Sequence, residues 1–275
     1  MRVVVAGASG FVGSALVRAC RDAGIDVLPV ARSARPSPGL IVVPDYSHTP
    51  PGDVLVHLAE SRDLALAEAE GEAHIARAVS VAQGLLAIGF RRVVYASSGV
   101  VYGDQVDSPR RPEEQARPRG VYARGKLAVE RLVLGHPSGV VARLANVYGA
   151  GMADNNVLAD ILAQVPGTGP VYVRDAAPVR DFIEVRDAAI GLMALATGSA
   201  TGVYNLGCGI GYAVSDLVRI ACDQFGQSGR PVVSTAPSGR ASTLILDVAS
   251  TYARFGWRPT IGMGDGIREL VAERR

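Results

Sequence analysis

Three glycines that directly follow a short apolar run limit the fold of this chain more than any other feature of its sequence. The run, Arg2-Val3-Val4-Val5-Ala6, is β-branched without alternation, as expected of a parallel strand that is buried on both faces. It leads into Gly7-Ala8-Ser9-Gly10-Phe11-Val12-Gly13, after which apolar residues recur at helical spacing as far as Cys20. A strand, a tight turn and a helix N-terminus form an anion site, because unpaired N–H groups and the helix dipole point to one place. In this context the glycines predict a dinucleotide-binding unit.

Tyr122 and Lys126 form the second informative pair. Residues four apart share one face of a helix, so the Lys126 ammonium can lie beside the Tyr122 phenol. A nearby positive charge lowers the pKa of a phenol, which is about 10 in free tyrosine. Tyr122 is therefore a candidate general acid and base near neutral pH. Together with the glycine turn, the pair predicts hydride transfer with a nicotinamide cofactor.

The spacing Gly-x-x-Gly-x-x-Gly and the segment Tyr122-Ala123-Arg124-Gly125-Lys126 resemble the short-chain dehydrogenase/reductase superfamily. The chain is most similar to its extended branch, the NAD-dependent epimerase/dehydratase family, which acts mostly on nucleotide sugars. Five more segments match blocks of that family in the expected order: residues 53–59, 92–103, 143–149, 179–185 and 204–207. The resemblance implies an α/β fold, with a doubly wound parallel sheet of the Rossmann type and a smaller carboxy-terminal substrate lobe.

The resemblance also implies a catalytic set of Ser98, Tyr122 and Lys126. In the family, the serine or threonine four residues before the Tyr of Val-Tyr-Gly hydrogen-bonds the reacting oxygen, and Ser98 occupies that position. Ser97 is the alternative, and Ser98 could instead satisfy the backbone at a strand end. Lys126 would in addition anchor the nicotinamide ribose.

The end of the second strand bears on the choice of cofactor. An NAD enzyme usually carries an acidic residue there, but this chain has Ala31 followed by Arg32. Arginine can clamp a 2′-phosphate, so the pattern favours NADP over NAD, unless Arg32 stacks on adenine or faces solvent. Asp45 matches a family position that contacts the adenine. The full set of expected cofactor contacts is Gly7, Ser9, Gly10, Phe11, Val12, Gly13, Arg32, Ser33, Asp45, Leu58, Ala59, Tyr122 and Lys126.

The substrate contacts implied by the resemblance are Ser98, Tyr122, Asn146, Asn156 and Arg180. Asn156 resembles an asparagine that donates to a nucleotide-sugar diphosphate, and Arg180 resembles an arginine that pairs with it. Arg180 could equally tie down the junction between the lobes. Near Gly239 the chain departs from the family, because Arg240 stands where an acidic residue often follows the glycine.

Two further departures narrow the reaction. Family 4,6-dehydratases carry Thr-Asp-Glu where this chain has Ser98-Gly99-Val100, and bifunctional epimerase-reductases place a cysteine at the position of Val100. Elimination of water and proton abstraction beside the carbonyl therefore lack their acid–base groups. The expected activity is reduction of a 4-keto-6-deoxyhexose nucleotide. A 4-epimerase with retained NAD, a reductase of a non-sugar ketone or aldehyde, and a non-enzymatic dinucleotide sensor are the alternatives.

Composition excludes some other classes of protein. The net charge of the 275 residues is +2 with charges interspersed, so no basic stripe indicates nucleic acid. No apolar stretch reaches the roughly 18 residues of a membrane span, and a cytoplasmic location is expected. Cys20, Cys208 and Cys222 lack CxxC spacing, and we expect reduced cysteines and no metal. His57 should be a satisfied structural residue. The expected partner is a small molecule, a nucleotide-linked sugar, with homodimerisation left open.

The alternation of signals predicts strands near residues 2–6, 26–30, 40–43, 54–58, 92–96 and 139–143, and one helix over 64–88. The proline-rich segment 109–118 should be a surface loop beside the cleft. We expect a dinucleotide-binding domain of residues 1–150 with a returning segment at about 181–206. Residues 151–180 and 207–275 would form the substrate-binding lobe.

Overall fold

The computed structural model describes residues 1–35, 37–61 and 63–272. The strands, in chain order, are β1 (Arg2–Ala6), β2 (Asp26–Ala31), β3 (Ile41–Val42), β4 (Val54–His57), β5 (Arg92–Ser98), β6 (Gly139–Leu144), β7 (Asn146–Tyr148), β8 (Val171–Val173), β9 (Val179–Glu184), β10 (Gly202–Leu206), β11 (Gly211–Ala213), β12 (Val232–Ser234) and β13 (Thr243–Leu244). The helices are α1 (Phe11–Asp22), α2 (Leu64–Glu70), α3 (Glu72–Leu86), α4 (Gly120–Leu134), α5 (Val157–Gln164), α6 (Val185–Thr197), α7 (Val214–Gln224), α8 (Ala249–Phe255) and α9 (Met263–Ala272). Short 3₁₀ turns cover Tyr46–His48 and Gly99–Tyr102.

The larger sheet has seven parallel strands in the order β10-β6-β5-β4-β1-β2-β3. From β1 the chain runs outward to β3 and then returns to the other side of β1 as β4, so the strand order reverses between β1 and β4. Ligands of open α/β sheets bind at the carboxyl ends of the strands beside such a point. The predicted doubly wound sheet is confirmed, and its first six strands end within two residues of their predicted bounds.

Helices cover both faces of this sheet. Because successive side chains of a strand point to opposite faces, Val3 and Val5 of β1 pack with α1 and α6, whereas Val4 packs on the side of α3 and α4. Leu192 of α6 is fully buried in the first layer and Leu85 of α3 in the second. Burial on both faces explains why these strands read as unbroken apolar runs.

A smaller unit follows the main sheet. Strands β11, β9 and β13 form a second sheet, with β7 also paired to β9, and β12 pairs with β8. An apolar cluster of its own joins α5, α7 and α9 through Leu158, Leu217 and Ile267. From β9 the chain passes through α6 to β10 and so rejoins the large sheet. The division of the chain at residue 150 with a return at about 181–206 stays a prediction.

One expectation about local structure is wrong and another holds only in part. The helix expected over residues 64–88 is two helices that meet at Gly71, whose φ of 57° breaks the helical path at little cost because glycine has no side chain. The segment 109–118 is only partly a surface loop, since the side chain of Arg110 is buried and its backbone bridges Leu246. That contact joins the loop to the carboxy-terminal part of the chain.

Two classes of feature do not occur within the described residues. No helix there is both long and apolar enough to cross a membrane. No group of three or more His, Cys, Asp or Glu side chains is arranged there to hold a metal ion. The cysteines in this part of the chain are free thiols; Cys20 and Cys222 are buried and Cys208 is half-buried.

Candidate active site

The glycine turn leaves no room for side chains. Gly7 has a φ of 90°, and a Cβ at this position would lie 2.6 Å from the carbonyl oxygen of Leu58. A Cβ on Gly13 would lie 2.3 Å from the carbonyl oxygen of Gly7. The backbone of β1, the loop after β4 and α1 can approach one another this closely only because both residues are glycine. A ligand phosphate can reach the bare backbone for the same reason.

The N-terminus of α1 fits an anion. Gly10 occupies the N-cap position and offers no side-chain oxygen to the N–H groups of the first turn, which also contains no acidic residue. Ser9, Phe11 and Val12 lie in or directly beside this turn. Uncapped N–H groups at a helix N-terminus and the positive end of the helix dipole suit a pyrophosphate. The donors of the turn therefore fit the dinucleotide that the sequence predicts.

The second strand ends without an acidic residue. β2 finishes at Ala31, which is buried, and the exposed Arg32 and Ser33 follow it. The Arg32 guanidinium lies 5.6 Å from the centroid of the Tyr46 ring. Asp45 caps the 3₁₀ turn at Tyr46–His48, accepts a 2.9 Å hydrogen bond from the N–H of Ser47 and is exposed. A cation therefore stands at the strand end where a ribose would lie.

Lys126 is buried beneath the sheet's carboxyl edge. Its Nζ donates to the carbonyl oxygen of Ala96 on β5 at 2.9 Å and lies 2.8 Å from Oε2 of Glu60. The same nitrogen lies 5.7 Å from the centroid of the Tyr122 ring, one helical turn earlier on α4. Burial is the largest influence and lowers the pKa of Lys126, but its neighbours, led by the charge of Glu60, together outweigh burial and the net shift is upward. The ammonium beside Tyr122 is therefore retained although it is 7% exposed.

Glu60 was not identified from the sequence. It follows Leu58 and Ala59 beyond the end of β4, and its Oε1 accepts a 2.8 Å hydrogen bond from the Tyr95 hydroxyl. Burial is the largest influence and raises its pKa, but its neighbours, led by the charge of Lys126 and including the hydrogen bonds from Lys126 and Tyr95, together bring the pKa below its usual value. The signal in the sequence was an acidic residue just after a buried strand, at a position where ligands gather.

His57 is satisfied on one side only. Its Nδ1 accepts a 3.2 Å hydrogen bond from the N–H of Ala59. Its buried Nε2 has no hydrogen-bond partner among the described residues and lies 3.6 Å from Oε1 of Glu60. Burial lowers the pKa of His57 to about 4, so the ring is neutral near pH 7. The expectation of a satisfied histidine therefore holds at Nδ1 but not at Nε2, and the structural role of His57 stays a prediction.

The two serines that end β5 point to different surroundings. Ser97 is buried and donates to Oε1 of Glu130, whose carboxylate also receives two hydrogen bonds from Arg143. Ser98 is half-buried and lines a small cavity of about 10 Å³ together with Asn146. The hydroxyl of Ser97 thus donates its proton to Glu130, whereas Oγ of Ser98 accepts a 3.4 Å hydrogen bond from the N–H of Val100 and so caps the turn at Gly99–Tyr102. The catalytic role of Ser98 stays a prediction.

The opposite wall of this cavity comes from the smaller unit. The Asn146 amide donates to the carbonyl oxygen of Asp181 at 3.1 Å. The Asp181 carboxylate lines the cavity, but its oxygens accept backbone N–H groups of Cys208, Gly209 and Leu246. Burial raises its pKa to about 6 although these hydrogen bonds oppose the shift. Asp181 therefore fastens three chain segments at the cavity.

The other two predicted substrate residues lie in the smaller unit with partners of their own. Asn156 is the N-cap of α5: its side-chain oxygen accepts from the N–H groups of Leu158 and Ala159. The Arg180 guanidinium donates hydrogen bonds to the carbonyl oxygen of Ser242 at 2.8 Å and to its Oγ at 2.7 Å. It also lies 3.6 Å from the carboxylate of Asp104.

Asp104 also pairs with Arg240 at 2.9 Å. Two arginines thus meet at one carboxylate, an arrangement that sequence reasoning missed because each arginine is 76 or more residues from Asp104 along the chain. In the described structure, Arg180 ties β9 to the segment before β13. Its role towards a diphosphate stays a prediction, as do those of Asn146 and Asn156.

A larger groove lies elsewhere on the surface. It has a volume of about 570 Å³, runs along the exposed edge of β10 and is lined by Thr201, Val203 and Arg254 among others. None of the predicted site residues lines it. The small cavity at Ser98 is the better candidate for the reacting centre, because it lies at the carboxyl end of β5, although neither Tyr122 nor Lys126 lines it.

Comparison with known proteins agrees with this geometry. The model of the family described as "NAD dependent epimerase/dehydratase family" matches residues 3–207. A dTDP-6-deoxy-L-talose 4-dehydrogenase (NAD(P)(+)) of Kitasatospora kifunensis is 28% identical over 98% of this chain and 94% of its own length.

Two solved structures are also similar over nearly their whole length. MoeE5 in complex with UDP-glucose and NAD is 26% identical, with a TM-score of 0.84 over 100% of this chain and 99% of its own. RMD from Pseudomonas aeruginosa complexed with NADPH is 27% identical, with a TM-score of 0.83 over 99% of this chain and 98% of its own. The resemblance proposed from the sequence is confirmed. This chain belongs to the NAD-dependent epimerase/dehydratase family and is an NAD(P)-dependent enzyme of the short-chain dehydrogenase/reductase type.

Proposed function

We propose that this protein is a ketoreductase that transfers hydride to the carbonyl carbon of a nucleotide-linked keto-sugar, a 4-keto-6-deoxyhexose being the expected substrate. The observation that carries this proposal is the buried Lys126 ammonium beside Tyr122, with Ser98 at the neighbouring strand end. The turn after Ser98, Gly99–Tyr102, carries no acidic side chain. A reaction that needs a single proton donor is therefore favoured over elimination of water.

The relatives support the substrate class. The talose 4-dehydrogenase acts, by its name, at carbon 4 of a dTDP-linked 6-deoxyhexose, and its match extends over almost the whole of both chains. MoeE5 was solved with UDP-glucose. The activity in that name, an oxidation or reduction at the 4-position of a nucleotide sugar, thus supports the proposed substrate class.

The protein residues would divide the reaction as follows. When bound, the nicotinamide supplies the hydride. Tyr122 gives its proton to the carbonyl oxygen, so that the carbonyl becomes a carbinol. Ser98 donates a hydrogen bond to the same oxygen and stabilises the charge that develops there. Lys126 stabilises the negative charge left on the Tyr122 oxygen and holds a ribose hydroxyl.

NADPH is the proposed cofactor. β2 ends at Ala31 without a carboxylate to bind the ribose hydroxyls, and the exposed Arg32 follows it. A guanidinium can form paired hydrogen bonds with a phosphate, and NADP differs from NAD by one phosphate.

Loss of the Tyr122 hydroxyl tests the proposal. Tyr122→Phe should keep cofactor affinity but reduce a dTDP-4-keto-6-deoxyhexose at least about a hundredfold more slowly, the usual scale for removal of a general acid. Tyr172→Phe is the matched control, because Tyr172 is 53% exposed on β8. Turnover by Tyr122→Phe close to that of the wild type would refute the proposed role.

A further inference from the structure

A buried tyrosine lies against the arginine that follows β2. Tyr46 is 6% exposed and packs in the apolar cluster on one face of the large sheet, together with Val4 and Leu55. The guanidinium of the exposed Arg32 lies over this ring, with Cζ 5.6 Å from the ring centroid. A guanidinium within about 6 Å of an aromatic centroid is attracted to the face of the ring. One side of the arginine is therefore held by a residue of the core.

The pairing of two strands explains this placement. β3 runs parallel to β2, and the N–H of Val43 donates to the carbonyl oxygen of Ala31 at 2.9 Å. Parallel neighbours end at the same edge of a sheet, so the segment after β3 comes to the end of β2. That segment contains the 3₁₀ turn Tyr46–His48, which Asp45 caps. Tyr46 begins the turn and is thus brought beside the residue that follows Ala31.

The ring leaves the charge of the arginine in place. Burial raises the pKa of Tyr46, although the charge of Arg32 opposes the shift, so the phenol keeps its proton. The carboxylate that precedes Tyr46 serves its own turn: Oδ1 of Asp45 accepts a 2.9 Å hydrogen bond from the N–H of Ser47, and Oδ2 lies 3.0 Å from Nδ1 of His48. Arg32 therefore meets a neutral ring here, and its positive charge is not compensated.

We propose that Tyr46 is a positioning residue that makes the cofactor site selective for NADPH, by holding the charge of Arg32 at the end of β2; the inference rests on NADPH as the proposed cofactor. The face of a neutral ring attracts a guanidinium without cancelling its charge. A carboxylate in the same place would neutralise the arginine and repel the 2′-phosphate. Tyr46 can therefore fix the arginine and still leave its charge to the cofactor.

The benefit to NADPH comes from preorganisation. A surface arginine loses rotamer freedom when a ligand fixes it, and this loss weakens binding. The Tyr46 ring is held by close packing in the core, so contact with it restricts Arg32 before any cofactor binds. NADH has no 2′-phosphate and gains nothing from a fixed Arg32. Tyr46 should therefore change the selectivity between the two cofactors, whereas a residue with only a structural role would affect both alike.

Two substitutions of Tyr46 separate the ring from the rest of the side chain. Immobilisation of one long side chain corresponds to a factor of about three to ten in a dissociation constant. Tyr46→Leu removes the ring, so NADPH should bind about three to ten times more weakly, and the affinity for NADH should change by less than about twofold. Tyr46→Phe keeps the ring, and its affinity for NADPH should stay within about twofold of that of the wild type.

A double-mutant cycle tests whether Tyr46 acts through Arg32. Fluorescence titration gives the dissociation constants of NADPH and NADH for the wild type, Tyr46→Leu, Arg32→Ala and the double variant. In the Arg32→Ala protein, Tyr46→Leu should weaken NADPH no more than NADH, because the ring has no guanidinium left to hold. Val43→Ala is the matched control, because Val43 is 5% exposed in the same apolar cluster and has no ring. It should leave the ratio of the two affinities unchanged.

Unchanged NADPH affinity in folded Tyr46→Leu, an equal loss of both cofactors, or the same selective loss in Val43→Ala would overturn the proposal. A loss of NADPH affinity that is as large without Arg32 as with it would do the same. If Tyr46→Leu does not fold, Tyr46→Met takes its place with the same expectation, because methionine adapts to gaps in a core.

The cycle also separates this inference from the proposed cofactor. If Arg32→Ala weakens NADPH selectively but Tyr46→Leu does not, the role of Tyr46 alone is overturned. If Arg32→Ala leaves the affinity for NADPH unchanged, the proposed recognition of the 2′-phosphate is contradicted, and the role of Tyr46 is overturned with it. The titrations need no sugar substrate, so neither outcome depends on turnover.

Discussion

Replacement of Arg32 by alanine should weaken the binding of NADPH far more than that of NADH. Arg32 is exposed directly after the last residue of β2, and no carboxylate pairs with it in the described part of the chain. Its guanidinium is close to Tyr46, a neutral partner that leaves the positive charge of the arginine uncompensated. That charge is therefore available to a 2′-phosphate.

The magnitude follows from the kind of contact. A hydrogen bond to a charged group contributes about 1.5–3 kcal/mol, and solvent screening at an exposed site lowers this contribution to about 1.4–2.8 kcal/mol. Since about 1.4 kcal/mol corresponds to a factor of ten, NADPH should bind about 10–100 times more weakly to the variant. NADH has no phosphate at this position, and its affinity should change by less than about threefold.

Fluorescence titration of both reduced cofactors measures these affinities directly. Arg18→Ala is the control, because Arg18 is an exposed arginine of α1 that does not lie at the end of β2. It should change neither affinity. If Arg32→Ala loses affinity for NADPH and for NADH equally, the argument that this arginine recognises the 2′-phosphate is refuted.

Two further changes test the scaffold of the site. Gly13→Ala should weaken cofactor binding at least about tenfold, because its Cβ would lie 2.3 Å from the carbonyl oxygen of Gly7. Gly264→Ala is the control and should leave cofactor binding unchanged, because its Cβ would meet open space. An equal loss of affinity in both variants, measured by the same fluorescence titration, would contradict the close packing of the turn. Burial lowers the pKa of His57 from 6.5 to about 4, so the unfolded chain takes up a proton at this residue before the folded protein does as the pH falls. The free energy of unfolding should therefore decrease by about 3 kcal/mol between about pH 6.5 and about pH 4. Urea unfolding measured at several pH values should show this loss in the wild type and in the control variant His48→Gln. In His57→Gln the free energy of unfolding should depend less on pH. Identical pH dependence in all three proteins would contradict the lowered pKa of His57.

Local sequence patterns were sufficient to predict the secondary-structure elements that carry the site. The β-branched run and the glycine turn identify β1 and α1, because each is encoded by adjacent residues. The spacing of Tyr122 and Lys126 likewise places both on one face of α4 without any knowledge of the remaining fold. The order of strands and helices then allows few topologies besides a doubly wound sheet.

Contacts between distant segments could not be predicted in this way. Glu60 meets Lys126 only because β4, β5 and α4 converge at one edge of the sheet. The ion pairs of Asp104 depend on how the smaller unit packs against the larger one. The break at Gly71 was missed because the Ala- and Glu-rich residues on both sides favour helix, and one glycine inside such a run does not by itself end a helix.

The stoichiometry of the cofactor tests the central proposal most directly. The purified protein is incubated with a dTDP-4-keto-6-deoxyhexose and NADPH, and cofactor oxidation and reduced sugar are measured together. A net ketoreductase oxidises one equivalent of NADPH for each product molecule, because the reduced sugar keeps the hydride. If the protein instead holds NAD stoichiometrically and interconverts hexose epimers without added cofactor, the ketoreductase proposal is contradicted and a 4-epimerase replaces it.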